Sequence, residues 1–249
     1  MSELKAVIVA AGRGIRMGPR GELTPKGLIR VGGVPLVRRS VSLLQKRGIG
    51  TIRIVTGHLS DQYYSEFGTS EGVELVHNPE YETTGSLRSL AVGLSGQQGP
   101  VVVLESDLIF EAATLAPILQ AGSRILVSGV TKSGDEVYIW SRPGQEGQPI
   151  FHTMSKDKSH RAEPCLGELV GVSVFDAGET EALKRAALQT LLTDPKADYE
   201  SAVVHMAETR DIPCFKFEDL AWTEMDDEAM YSRAVSVIWP EIQKRDAGA

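Results

Sequence analysis

The stretch Lys5-Ala-Val-Ile-Val-Ala-Ala11 is a short, unbroken apolar run, and it passes directly into Gly12-Arg-Gly-Ile-Arg-Met-Gly18. An apolar run of this length with β-branched residues is expected of a strand buried on both faces, as in a parallel sheet. Residues 12–27 then carry Gly12, Gly14, Gly18, Pro19, Gly21 and Pro25 with no 3.6-residue periodicity. This predicts a long loop, with Pro19 and Gly21 blocking a helix. Long loops in compact domains are usually functional.

Glycines after a strand let backbone N–H groups approach a phosphate closely. A Walker A loop would need Ser or Thr after its lysine, but Gly27 follows Lys26. A dinucleotide fingerprint opens straight into a helix. Here the glycines fall at 12, 14 and 18, and the next strand ends in Thr56-Gly-His58 instead of an acid. The third reading is a triphosphate loop, in which Arg13, Arg16 and Lys26 surround the phosphates and the glycines supply amides.

Outward from this loop, strands and helices alternate. Pro35–Arg47 reads as an amphipathic helix, Thr51–Thr56 as a strand, Ser60–Phe67 as a helix and Val73–Val76 as a strand. Ser86–Leu94 reads as a helix with Leu87, Leu90, Ala91 and Leu94 on one face, and Val101–Leu104 as an apolar strand ending at Glu105-Ser-Asp107. Ile109–Leu119 reads as a further helix that Asp107 could cap. Such alternation implies βαβ units with right-handed crossovers. Further on, Arg124–Val130, Glu136–Ser141, Ile150–Met154 and Glu168–Phe175 read as strands of a mixed or antiparallel extension. Helices at Ala177–Leu192 and Tyr199–Glu208, a strand at Cys214–Glu218 and a helix from Asp226 to about Lys244 complete the chain. The expected fold is α/β: a mostly parallel, Rossmann-like sheet flanked by helices. It forms a single domain over residues 1–249 with a small antiparallel hairpin lobe inserted at about 131–168.

With 249 residues, 42% of them hydrophobic, the chain can bury one sizeable core. No apolar run reaches the roughly 18–20 residues that span a bilayer, and the N-terminal residues lack signal-peptide character. The two cysteines, Cys165 and Cys214, form no disulfide framework. These features predict a cytoplasmic protein without membrane association. The net charge of −7 argues against a nucleic-acid partner. Its distribution is uneven, with ten Lys/Arg against two acids in residues 1–50. A basic front on an acidic chain suggests a small anionic ligand held there. Arg38 and Arg39 are expected to be solvated helix charges.

Several of these elements together resemble the nucleotidyltransferases that activate small phosphorylated molecules. The family pattern A-A-G-x-G-x-R-M appears as Ala10–Met17, P-K-x-L as Pro25-Lys-Gly-Leu28, and G-x-P-L as Gly33-Val-Pro-Leu36. Gly27 departs from the pattern, which carries a bulkier residue after the lysine. Trp222-Thr-Glu-Met-Asp-Asp227 resembles the segment that precedes the last helix in cytidylyltransferases of the phosphocholine type. Asp107 sits where the family places a magnesium-binding aspartate, and Thr84-Gly-Ser-Leu87 where the family loop meets the base.

The resemblance implies a Rossmann-like nucleotidyltransferase sheet and attack by a phosphate or phosphonate oxygen on the α-phosphorus of CTP, with pyrophosphate leaving. Lys26 and Arg16 would be catalytic, neutralising the developing charge. Ala10, Ala11, Gly12, Arg13, Gly14, Gly85 and Ser86 would hold the nucleotide. Asp107, Glu224 and Asp226 would hold Mg2+, a hard ion suited to carboxylates and phosphates. Asp226 would also cap the last helix. The acceptor would be a small zwitterion, 2-aminoethylphosphonate before phosphocholine, bound by Glu168, Tyr199, Glu200 and Trp140. Tyr138, Phe151 and Trp222 are further cage candidates, and Asp198 a further acid. A sugar-1-phosphate nucleotidyltransferase using UTP, CTP or dTTP, and a non-catalytic nucleotide-binding subunit, are the alternatives.

Overall fold

The computed structural model describes residues 3–131 and 137–248. Among these, nine strands form one mixed sheet. Lys5–Ala10, Ile52–Thr56, Val73–His77 and Val101–Glu105 are parallel neighbours, with Lys5–Ala10 between Ile52–Thr56 and Val101–Glu105. Both faces of Lys5–Ala10 are covered. Val7 packs with the helices Ser86–Leu94, Ala177–Thr193 and Tyr199–Ala207, whereas Ala6, Ile8 and Ala10 pack with Leu36–Lys46 and Ser60–Phe67. This two-sided burial is why the run is apolar at every position but the first.

The rest of the sheet is antiparallel in part, as expected. Gly167–Phe175 runs antiparallel to Val101–Glu105 on one side and to Arg124–Ser128 on the other. Cys214–Phe217 adds to Arg124–Ser128 in parallel. The hairpin Tyr138–Pro143 with Pro149–Ser155 joins the sheet through Gly167 and Glu168. Glu136, the first residue of the strand expected over 136–141, lies outside the described residues. Cys214 is buried, which pushes its thiol up to about 12, and neither cysteine is bridged.

Four local expectations are corrected. Pro19 does not block a helix: it opens the single turn Pro19–Leu23, where a first-turn proline loses no hydrogen bond. The helix expected over 109–119 is confined to Leu115–Ile118. Leu108–Phe110 is instead a strand paired antiparallel with Trp222–Glu224, so Asp107 caps no helix. Asp226 is not the cap of the last helical run either, because Asp227 accepts from Met230 N at 2.8 Å. Arg38 and Arg39 are half-buried and paired, not freely solvated. Arg38 bonds Glu66 and lies over the Phe67 ring, and Arg39 bonds Asp246 at 2.7 Å and the Phe110 carbonyl at 2.6 Å.

The ribbon of Leu108–Phe110 with Trp222–Glu224 positions the site. It carries residues 222–226 from the far end of the chain to the end of the Val101–Glu105 strand. The glycine loop is fastened from both directions. Arg20 donates to Glu228 at 2.7 Å while lying over the Tyr231 ring, and the His58 ring meets the Gly21 carbonyl at 3.1 Å.

Candidate active site

One cleft opens at the carboxyl ends of the parallel strands, where open α/β sheets bind ligands. Its wall includes Ala10 from the end of the first strand, Gly12, Gly14, Arg16 and Lys26 from the loop, and Glu105, Ser106 and Asp107 from the end of the Val101–Glu105 strand and just beyond it. Ser86, Asp198, Tyr199 and Glu200 line it from two helix starts, and Trp222, Glu224 and Asp226 from the ribbon.

Lys26 is the hub. Its ammonium donates to Asp107 Oδ2 at 2.8 Å and also to Asp226. Arg16 reaches Asp226 Oδ2 at 2.8 Å from a largely exposed position. Burial alone would depress the lysine, but attraction to Asp107 and then Asp226 raises it above its ordinary range. Asp226 is also raised, chiefly by burial and by repulsion from Asp107, against the pull of Lys26 and Arg16. One cation thus serves two carboxylates.

Gly27 explains how Lys26 reaches this point. A Cβ there would lie 2.5 Å from Val37 Cγ2, 2.6 Å from the Tyr63 hydroxyl and 3.0 Å from Ser106 Cβ. The fully buried Tyr63 fills the space that a larger residue would need. Sequence reasoning did not single out Tyr63, because an aromatic at helical spacing looks like ordinary core.

Another part of the cleft wall is acidic. Glu105 accepts from the Tyr199 hydroxyl at 2.6 Å. Burial, then Asp107 and Glu200, push its carboxyl up to about 8, opposed by the Tyr199 hydrogen bond and Lys26. Burial pushes Glu200 up to about 7; Asp198 adds to this, while its own backbone N–H and Lys156 oppose it. Ser86 Oγ donates to Asp198 Oδ1 at 3.1 Å and accepts from Tyr199 N at 2.9 Å, locking two helix starts together. Three buried polar atoms of cleft residues, the Tyr63 hydroxyl, Glu200 Oε2 and Trp222 Nε1, have no hydrogen-bond partner among the described residues.

Most of the expected site residues therefore converge. Ala10, Gly12, Gly14, Arg16, Lys26, Ser86, Asp107, Tyr199, Glu200, Glu224 and Asp226 share the cleft. Three expected nucleotide contacts lie beside it. The Ala11 carbonyl is taken by His58 N at 3.1 Å, and Arg13 is exposed. Gly85 is needed for packing, since a Cβ there would lie 2.2 Å from the Ala197 carbonyl.

Two expected acceptor contacts do not line the cleft. Glu168 is buried outside the cleft, where both its oxygens accept from Thr131 N at 2.9 Å. Its neighbour Leu169 lines the cleft, and alternation along the strand turns Glu168 to the other face. Trp140 donates to the Glu163 carbonyl at 2.9 Å and packs on His160, away from the cleft. Glu105 and Lys156 were missed. An acid at a strand end reads as solvated until the opposing Gly167–Phe175 strand closes over it, and an isolated lysine carries no signal.

Asp107 and Asp226 meet at Lys26, while Glu224 lines the cleft without completing a cluster. Among the described residues no three His, Cys, Asp or Glu side chains are arranged to hold a metal by themselves. Two adjacent carboxylates still fit a hard divalent ion, which takes one or two of them and completes its shell with substrate phosphates and water.

Comparisons with known proteins agree with this fold. The pattern of the MobA-like NTP transferase domain matches residues 6–186. The chain is similar to the 2-aminoethylphosphonate cytidylyltransferase of Lancefieldella rimae, with 34% identity over 105 residues, 42% of this chain and 43% of that protein. It is 38% identical over 87 residues to the choline-phosphate cytidylyltransferase of Streptococcus pneumoniae, 35% of this chain and 38% of that protein. The matched stretch thus spans about two-fifths of each relative. The solved CTP:phosphocholine cytidylyltransferase of S. pneumoniae has the same fold, with a TM-score of 0.77 at 21% identity over 95% of this chain and 99% of that one.

Proposed function

Because this chain belongs to the MobA-like NTP transferase domain family, we propose that it is a magnesium-dependent cytidylyltransferase. It joins CMP from CTP to a small zwitterionic phosphonate or phosphate, with 2-aminoethylphosphonate favoured and phosphocholine next. The observation that carries this reading is the contact of Lys26 with both Asp107 and Asp226 at the mouth of the glycine loop.

In this reading an unprotonated oxygen of the acceptor attacks the α-phosphorus of CTP. The bond from the α-phosphorus to the oxygen bridging it to the β-phosphorus breaks, and pyrophosphate leaves with those electrons. No proton need move to or from the attacking oxygen, and no covalent enzyme intermediate is required. Both reactants are anionic, so the protein acts by positioning and charge neutralisation. Lys26 and Arg16 face the triphosphate, while the backbone of Ala10, Gly12 and Gly14 borders it. Asp107 and Asp226, with Glu224 close by, would hold Mg2+, which supplies Lewis-acid neutralisation of phosphate charge. Glu105, Asp198 and Glu200 face the cationic end of the acceptor, with Tyr199 beside them. The names of the two cytidylyltransferase relatives support this acceptor class.

We place the enzyme in the cytoplasm, acting on small molecules without nucleic acid or membrane. Among the described residues no helix is long and apolar enough to cross a bilayer. A pyrophosphate-release screen tests the whole reading. Four nucleoside triphosphates are crossed with 2-aminoethylphosphonate, phosphocholine, phosphoethanolamine and several sugar 1-phosphates, with and without Mg2+. Release confined to CTP plus an ammonium-bearing acceptor and Mg2+ is expected. Turnover only with sugar phosphates and UTP or dTTP would replace this reading by the sugar-nucleotide one.

A further inference from the structure

We infer that Glu200 selects the acceptor by its cationic group, taking an ammonium that carries N–H bonds in preference to a quaternary one. This rests on the cytidylyl-transfer reading, whose acceptor is zwitterionic.

The three carboxylates in the acidic part of the wall are not equivalent. Glu105 already receives the Tyr199 hydroxyl, and Asp198 receives the Ser86 hydroxyl. Glu200 Oε2 is buried in the same wall and receives nothing among the described residues. A buried carboxylate oxygen without a donor is costly, and a ligand N–H removes that cost. Lys156 is the lysine facing this part, and it acts on Glu200 electrostatically. A ligand ammonium placed here favours the ionised form of Glu200, which burial alone disfavours.

A quaternary nitrogen has no N–H to offer Oε2, and it is recognised instead by several aromatic faces. Among the described residues, three of the five expected cage members do not line this wall. Phe151 is fully buried in the core, and Tyr138 and Trp140 pack edge-to-face on each other outside the cleft. Tyr199 and Trp222 remain, and Tyr199 is held by its bond to Glu105. Another unpartnered atom, Trp222 Nε1, is a donor, suited to an anionic oxygen. Glu200 Oε2 as an acceptor and Trp222 Nε1 as a donor in one cleft match a ligand with N–H at one end and phosphonate at the other.

The test is steady-state kinetics of the full chain with CTP, Mg2+ and either 2-aminoethylphosphonate or phosphocholine. Wild type, Glu200→Gln and Glu200→Ala are compared, and thermal unfolding confirms that each variant folds. A charge-assisted hydrogen bond is worth about tenfold to a hundredfold in affinity. Glu200→Ala should raise KM for 2-aminoethylphosphonate by about that factor, with a much smaller change in kcat. Because phosphocholine makes no such bond, its kcat/KM should fall less, so the preference between the two should shrink by about tenfold or more. Glu200→Gln keeps the size but not the charge and should fall between. Equal losses with both acceptors, or an unmoved KM, overturn the inference and leave cytidylyl transfer standing. Wild type that turns over neither acceptor removes the underlying reading and the inference with it.

Discussion

The Lys26 ammonium stands 2.8 Å from Asp107 Oδ2, although 81 positions separate the two residues. The same nitrogen also meets Asp226, from the other end of the chain. Three segments, the loop, the end of the Val101–Glu105 strand and the ribbon, therefore meet at one charge. Replacing it should affect chemistry before it affects architecture.

Lys26→Ala is expected to lower turnover about 10²–10³-fold, the usual cost of removing one preorganised donor to transition-state charge. The circular dichroism spectrum should stay that of the wild type, because the surrounding core is apolar and does not include Lys26. Asp107→Asn should instead raise the Mg2+ concentration needed for half-maximal rate. Turnover by Lys26→Ala close to wild type would remove the lysine from the mechanism.

Gly27→Ala should destabilise the protein by about 1–3 kcal/mol, the range for overpacking a closed site. The added methyl meets Val37, the Tyr63 hydroxyl and Ser106 together. Tyr63→Phe removes one of these three obstacles, so the double variant should recover part of the loss. Equilibrium denaturation of the four proteins measures the coupling, and strict additivity would contradict the packing described.

Much of this was legible in the sequence. Ser60–Phe67 and Ser86–Leu94 are helices with the expected ends, because their apolar periodicity matches the face they bury. The site was legible in so far as its residues lie in short motifs, such as Lys26 in P-K-x-L and Asp226 in the segment before the last helix. What failed was decided by partners distant in sequence. Leu108–Phe110 is apolar enough for either element, and only pairing with Trp222–Glu224 makes it a strand. Glu168 and Trp140 depended on which face of a strand looks inward, a choice set by register. Arg39 looked like a surface charge because Asp246, its partner, comes from the last turn of the chain.

That last pair makes its own prediction. Asp246 accepts from Arg39 at 2.7 Å and from Ala112 N at 2.8 Å, tying the last helix to the turn after the ribbon strand. The Arg39 side chain is only 13% exposed. Asp246→Ala would leave a mostly buried guanidinium and a backbone N–H short of partners, at a cost of about 1–3 kcal/mol. Urea unfolding monitored by tryptophan fluorescence checks this, and an unshifted midpoint would mean the clamp contributes nothing to stability.

Glu200 gives the acidic part of the cleft a pH signature whose sign can be worked out. Its carboxyl is pushed up to about 7 in the folded chain, mainly by burial, against about 4.3 when unfolded. Between these values the folded state holds a proton that the unfolded state has released. Stability therefore falls as pH rises through this window, and the loss is complete above about 7. Glu200→Gln cannot ionise and escapes the penalty. The melting temperature of wild type should accordingly drop relative to Glu200→Gln between pH 5 and pH 8, by an amount corresponding to roughly 1–3 kcal/mol. Glu105 is raised in the same direction, so the difference between the two proteins isolates Glu200 better than either curve alone. Adding 2-aminoethylphosphonate with CTP and Mg2+ at pH 8 should narrow the gap, because a bound ammonium stabilises the ionised carboxylate of the wild type and has no charge to meet in the variant. A gap that stays constant from pH 5 to pH 8 would show that this carboxyl is ionised throughout, and that the cleft is better solvated than its burial implies.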